Sequence, residues 1–450
     1  MVFTGLLFFM VGAIVAGVAD GFGPMIVGRS LQGIGGGGLI ALTEILVTDL
    51  VPLRLRGQWF GIISGMWSIG SVTGPIIGGA FAQEATWRWI FFINFPFIGI
   101  AALFVYLFLH LNFKATTIRA QLARVDWIGT VIFVGSTTSL LIPITWGGVS
   151  YSWDSWRTLV PLIIGIVGET AFVLYEKFLA KEPLIRLVIF NNLTSSAAYF
   201  ETTLHGIILW CLLYYEPLYY EAVKNYTPII SGVALFPETF TVAPMAIVTG
   251  IAITVSGRYR WAIWGGWVIT TLGLGILYLL DVDTTVVQWI FLNLVPGIGM
   301  GMLFPSMAFA VQAASRSEDL AFAVAMFSFF RAFGQSIGVA IGGTIFQNEM
   351  KRKLMAYPML APKATEYSQD AAALVQIIKS MRLQPEMAGQ VRDLCQAYAD
   401  SLKTVWLVMC ALSAVAGLSS LLIKGLDVNA PLVTEQGFKE EKKEPDEEKL

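Results

Sequence analysis

The chain has 450 residues, 56% of them apolar and only 13% charged, with a net charge of -2 and a mean hydropathy of +0.69. A soluble domain carries about 25% charged residues, so this composition excludes an ordinary soluble protein, and the near-neutral balance gives no reason to expect a nucleic-acid partner. Three cysteines and two histidines exclude a disulfide framework and most histidine-based metal chemistry, so no cofactor is expected.

Crossing a bilayer takes about 20 apolar residues. Twelve such segments are predicted, roughly 3–19, 24–47, 58–82, 89–111, 127–146, 158–179, 195–215, 229–255, 261–280, 287–311, 321–346 and 404–424. The first ends in small residues, as a secretory signal does. No lysine or arginine precedes its apolar run, so it is read as a spanning helix.

The second segment opens with Arg29-Ser30-Leu31-Gln32-Gly33-Ile34-Gly35. A guanidinium in hydrocarbon costs roughly 3 kcal/mol on insertion scales, so Arg29 is expected to face the bundle interior or water. Arg29 and Gln32 are candidates for proton coupling. Glu44, farther along, reads as a solvated boundary residue. The third segment carries Gly70, Gly74, Pro75, Gly78 and Gly79. Small residues four apart let helix backbones approach closely, and a proline bends a helix. This segment is therefore the candidate hinge.

Glu201 and His205 lie four apart on the seventh segment, hence on one helix face. Buried ionisable groups in a membrane are functional suspects, so both are candidates for protonation. Glu238, between Pro237 and Pro244 on the eighth, sits where a broken helix is expected and is a third. Arg331, in the eleventh, is expected to pair with a carboxylate. Glu169 and Glu176 fall in the sixth segment and are discounted. Residues 347–403 place Leu374, Ile377, Ile378 and Met381 at helical spacing, predicting amphipathic helices over the outer face. The charged tail from Val428 reads as disordered.

Two stretches 264 residues apart share a glycine pattern. Gly33-Ile34-Gly35-Gly36-Gly37 is echoed by Gly297-Ile298-Gly299-Met300-Gly301, and Gly70, Gly74, Gly78 and Gly79 by Gly334, Gly338, Gly342 and Gly343. The chain therefore reads as two related halves, an architecture of secondary transporters. The second echo falls on the fourth and fifth helices of the last six, the first on helices two and three. Two helices are thus expected to be missing ahead of helix two, and two inserted between the halves, at 127–146 and 158–179. The expected divisions are 1–111, a shortened amino-terminal bundle; 112–193, with two linker helices; 194–424, a six-helix bundle with the loop 347–403; and 425–450, a disordered cytoplasmic tail. Basic residues number eleven in the loops on one side (Arg54, Arg56, Lys114, Arg119, Arg124, Lys177, Lys181, Arg186, Arg258, Arg260, Arg316) and three in the short loops on the other. The bias predicts both termini in the cytoplasm.

Arg29-x-x-Gln32-Gly33-x-Gly35 resembles the fourth-helix signature of the major facilitator superfamily. The Gly70–Gly79 pattern looks like its antiporter signature. Trp87-Arg88-Trp89 through Pro96, Asp126-Trp127-Ile128-Gly129, and Ser231 through Pro237 are similar to segments of the fourteen-span drug:proton antiporter family. The long outer loop and Glu435-Gln436-Gly437-Phe438 resemble fungal members. The resemblance implies an all-α membrane fold and proton-coupled export of amphipathic drugs, toxins or secondary metabolites by a monomer working through alternating access. It places the protein in the plasma membrane, with the vacuolar membrane as the alternative. Its partners would be small organic substrates, protons and the bilayer. The family's first-helix acid and its basic glycine-rich loop have no counterpart in this sequence. The alternatives are a siderophore–proton transporter or a truncated relative that does not transport. An enzyme is not expected, since no nucleophile–base or metal constellation occurs in any loop.

Overall fold

The computed structural model describes residues 1–52, 55–109, 117, 123, 125–147, 151–316 and 319–426. Arg54, His110, Lys114, Arg119, Arg124 and the tail from Val428 lie outside these residues. Helices follow the apolar segments. The first five are α1 (Val2–Gly17), α2 (Phe22–Leu50), α3 (Arg56–Glu84), α4 (Trp89–Phe92) and α5 (Asn94–Phe108). Then come α6 (Trp127–Trp146), α7 (Trp156–Phe178) and α8 (Leu193–Ala222). The eighth segment is indeed broken: α9 (Pro228–Ala234) and α10 (Phe236–Ser256) meet at Leu235, where Pro237 can supply no amide donor. The rest are α11 (Arg260–Ile276), α12 (Val286–Ala314), α13 (Leu320–Leu354), α14 (Ala364–Tyr367), α15 (Ala371–Arg382) and α16 (Ala388–Ser419).

Among the described residues eleven helical segments are long and apolar enough to cross a membrane, with α4 and α5 acting as one and α9 and α10 as another. The twelfth expected span, α1, has 16 residues and falls short of the length usually needed.

The core lies in the second half. In α12 and α8, 83% and 72% of the most apolar stretch is buried, against 22% in α2 and 13% in α3. A helix apolar all round belongs at the centre of a bundle, and α12 is that helix. Helices α6 and α7 pack as a hairpin, and the carboxylate of Glu169 joins them by accepting from Ser136 and Thr137 at 3.0 and 2.7 Å.

The repeated glycines have a common use in α2 and α12. A methyl group on Gly35 would collide with the backbone of Phe9 and Gly5 in α1; one on Gly299 would collide with Thr270 and Gly266 in α11. Each glycine thus lets its helix close onto the preceding one. The second echo is asymmetric. Gly334 and Gly338 of α13 press on the backbone of α8, whereas Gly70, Gly74 and Gly78 of α3 have open space around them. Only Gly79 approaches a neighbour, at Pro228 and Ile229.

Residues 355–387 cover one end of the bundle, hereafter the capped end. Here α15 buries Leu374, Ile378 and Met381, and Arg382 donates to the last carbonyls of α8 at Ala222 and Val223. The turn between α11 and α12 is held nearby by Asp281. Its carboxylate accepts from Lys403 at 2.7 Å and Gln396 at 2.9 Å. Partial burial raises the Asp281 carboxyl, but these bonds and the Val282 amide outweigh it and hold the group below its usual range. A depressed carboxylate stabilises the fold above its unfolded pKa, and that contribution fades as pH falls through the folded value. Asp281→Asn should therefore lower the melting temperature in detergent at about pH 7 and have a smaller effect as pH falls toward about 3. Equal losses at both pH values would show that the charge does not matter.

Candidate functional site

The two halves meet along α3 and α10, with α2 on α13 as a second seam. Between them lies a cavity walled by Trp67 and Ser71 of α3, His205, Leu209 and Leu213 of α8, and Thr239 and Val242 of α10. Met300 and Phe304 of α12 and Arg331 of α13 complete it. The positions 205, 209 and 213 recur every four residues, so one face of α8 forms a continuous wall. Most of the lining is aromatic or aliphatic, with a few polar groups set into it, but the enclosed space is about 30 Å³, room for roughly one water and not for a drug-sized ligand until the walls separate.

Arg331 is the cavity's charge. Its guanidinium lies over the rings of Phe304 and Trp67, at 4.4 and 4.9 Å from their centroids. Such contacts stabilise a desolvated cation by about 2 kcal/mol. The carboxylate acting on it electrostatically is Glu44 of α2, across the seam. Glu44 is buried, not solvated as expected, and accepts a hydrogen bond from Ser328 of α13. The reason is the α2–α13 contact, which brings the C-terminal part of α2 against α13. At the same end Arg56 bridges the halves, donating to Gln312 of α12 at 2.9 Å and to Thr48 and Val51 carbonyls of α2.

The other expected site residues scatter. Arg29 is exposed on α2 and donates to the buried Gln32 at 3.0 Å. The inward placement expected of it is not seen, because that face of α2 has no neighbour among the described residues. Glu201 and His205 share a helix face but not a partner. Glu201 accepts from Trp267 at 2.9 Å, with Ser419 at 3.5 Å, and so ties α8 to α11 and α16. The His205 ring instead reaches the Met300 carbonyl at 3.3 Å. A carbonyl only accepts, so Nε2 carries the proton, and Nδ1 is buried without a partner. Glu238 is buried in the first turn of α10, one turn from the cavity residue Val242.

Sequence reasoning missed Glu216. It is buried on α8, one turn beyond Leu213 toward the capped end, and its carboxyl meets that of Glu238. Tyr220 of α8 and Asn293 of α12 adjoin the pair, joined by a hydrogen bond of 2.5 Å.

Two helical halves closed around an apolar cavity with sparse charge define a multi-pass membrane transporter. The chain belongs to the Major Facilitator Superfamily, whose family model matches residues 1–339. It is 55% identical to "MFS transporter L2" of a Phoma species over all of this chain and 74% of that protein. It is 36% identical to "Efflux pump FUS6" of Gibberella fujikuroi, over 96% of this chain and 78% of that protein. A bacterial homologue of the human lysosomal transporter Spinster, solved inward-facing and occupied, shares the fold at a TM-score of 0.52 and 15% identity, covering 94% of this chain and 82% of that one.

Proposed function

We propose that the protein exports amphipathic organic compounds in exchange for protons, by alternating exposure of the central cavity to the two sides of the membrane. One observation carries the reading: the cavity is built by both halves, with α3 facing α8, α10, α12 and α13 across it. A ligand seated there touches elements that must separate when the halves rock. Aromatic and aliphatic walls suit a substrate with a large apolar part. The relatives named as efflux pumps support the outward direction. Arg56–Gln312 and Glu44–Ser328, which join the halves at the end opposite the cap, are contacts that such a motion would break and remake.

The test is reconstitution of the 450-residue chain in liposomes with a lipophilic fluorescent dye. An imposed pH gradient should drive dye movement against its own gradient, and a protonophore should stop it. Trp67→Ala, which removes one wall of the cavity and one face over Arg331, should weaken dye binding by roughly tenfold or more, since aromatic truncation at a packed contact typically costs above 1 kcal/mol. Dye movement indifferent to the pH gradient would reject the proton-coupled reading.

A further inference from the structure

The geometry points to a shared protonation site at the capped-end rim of the cavity, in which Glu216 and Glu238 hold a single exchangeable proton between them. This inference deepens the proton-coupled reading above and rests on it for its transport role.

Glu216 of α8 and Glu238 of α10 are each 1% exposed. Their carboxyls lie within hydrogen-bonding reach of each other, yet none of the four oxygens has a donor among the protein groups. Two ionised carboxylates offer acceptors only, so nothing can bond them to one another except a proton. With both ionised, two like charges would face each other in a desolvated place. With both neutral, each O–H could donate to the other's carbonyl oxygen as in a carboxylic acid dimer, a state that the paired variants below separate from a single shared proton. One proton gives an O–H on one carboxyl, donated to the anionic oxygen of the other, and leaves a net charge of one. Paired carboxylates that share a proton in this way titrate as a unit.

A second observation marks the place as a site. Asn293 of α12 is wholly buried, with Nδ2 donating to the Tyr220 hydroxyl at 2.5 Å and Oδ1 unpartnered. Tyr220 accepts that bond, so its own hydroxyl proton is not used in it, and Glu216 and Glu238 act on the hydroxyl electrostatically without accepting from it. The Trp289 indole, stacked edge-on against Tyr220 at 5.1 Å, also has an unpartnered N–H.

The surrounding helices leave the pair to itself. Between their ends, α3, α9, α10 and α12 carry no titratable residue other than Glu238. On α8 the groups acting on the pair are Cys211 and Tyr220. Of the other helices packed on α8, α13 brings Arg331 opposite His205, about 16 Å from Glu216 along α8. Helix α15 places Lys379 on Glu221 and Arg382 on the end of α8. The acidic and basic groups of α16 include Asp400 and Lys403, which pair with each other, and Tyr398 packs on Phe346. Among the described residues no basic side chain pairs with either carboxyl.

Infrared difference spectroscopy on the purified chain tests this directly. Wild type minus Glu216→Gln and wild type minus Glu238→Gln should each lose the same deuterium-sensitive protonated-carboxyl band, because a glutamine amide can donate where the shared proton did. The double variant should lose no more than either single one. Additive losses would show two independently protonated acids, and loss of no band would show an ionised pair; either result overturns the inference. A band abolished by sodium at constant pH would identify a cation as the occupant and overturn it too. Monodisperse elution of the glutamine variants, and retention of the band in Glu216→Asp, guard against misfolding. In liposomes either glutamine variant should lose pH-gradient-driven dye movement. If the wild type shows the band but no gradient-driven transport, the proposed function fails while the protonation site stands.

Discussion

Arg331→Met is expected to abolish dye transport and to lower folding stability by on the order of 1 kcal/mol, since Glu44 acts on Arg331 electrostatically without a direct salt bridge. Methionine keeps much of the side chain's bulk against Phe304 and Trp67, so lost packing contributes little. What changes is the electrostatic partner of Glu44, which Ser328 alone then satisfies. Glu44→Gln should cost a comparable amount, because Arg331 would keep its charge and lose its counter-charge. The double variant is the decisive measurement. If the two groups stabilise each other across the α2–α13 seam, it should be more stable than the sum of the single losses predicts, by about 0.5–3 kcal/mol. Thermal or denaturant unfolding in detergent reads this cycle. Strict additivity would show that Arg331 is held by its aromatic neighbours and that Glu44 is incidental.

Most of the helical order was legible in the chain because a span is a long, one-dimensional signal. The break in the eighth helix was legible too, since Pro237 writes it locally, whereas Pro244 sits inside the unbroken α10. The shared glycine spacing of α2 and α12 has a common physical cause, since Gly35 and Gly299 answer the same steric demand. Partners across helices have no such trace. The apolar run of the seventh segment was ended at residue 215, one short of Glu216, whereas α8 continues to Ala222. A glutamate within a tyrosine-rich helix end reads as interfacial until α10 brings Glu238 against it. Glu44 was misjudged for a related reason: its depth is set by α13, which arrives nearly three hundred residues later. Glu201 and His205 show the converse, for a shared face put them together on paper while α11 and α12 draw them to different partners.

The repeat itself yields the other large effect. Gly74 and Gly338 occupy matching places, and a reading of the sequence alone would give them equal weight. In the structure a methyl group on Gly338 would stand 2.8 and 2.9 Å from the Ile207 Cα and carbonyl carbon, atoms of a helix backbone that cannot rotate aside. Gly334 meets Thr203 in the same manner, and Gly206 of α8 returns the contact on the Arg331 carbonyl. The interlock fixes the α8–α13 spacing and, through it, holds Arg331 against the cavity. Gly338→Val should push the helices apart, at a cost of about 1–3 kcal/mol or more. The expected readouts are a lower melting temperature, reduced yield from membranes and weakened dye binding. A Cβ at Gly74 would meet nothing within 4 Å, so Gly74→Val should cost far less than Gly338→Val. Equal destabilisation by the two valines would mean that the glycines of α3 are packed as tightly as those of α13, and that the asymmetry between the halves is not a property of this chain.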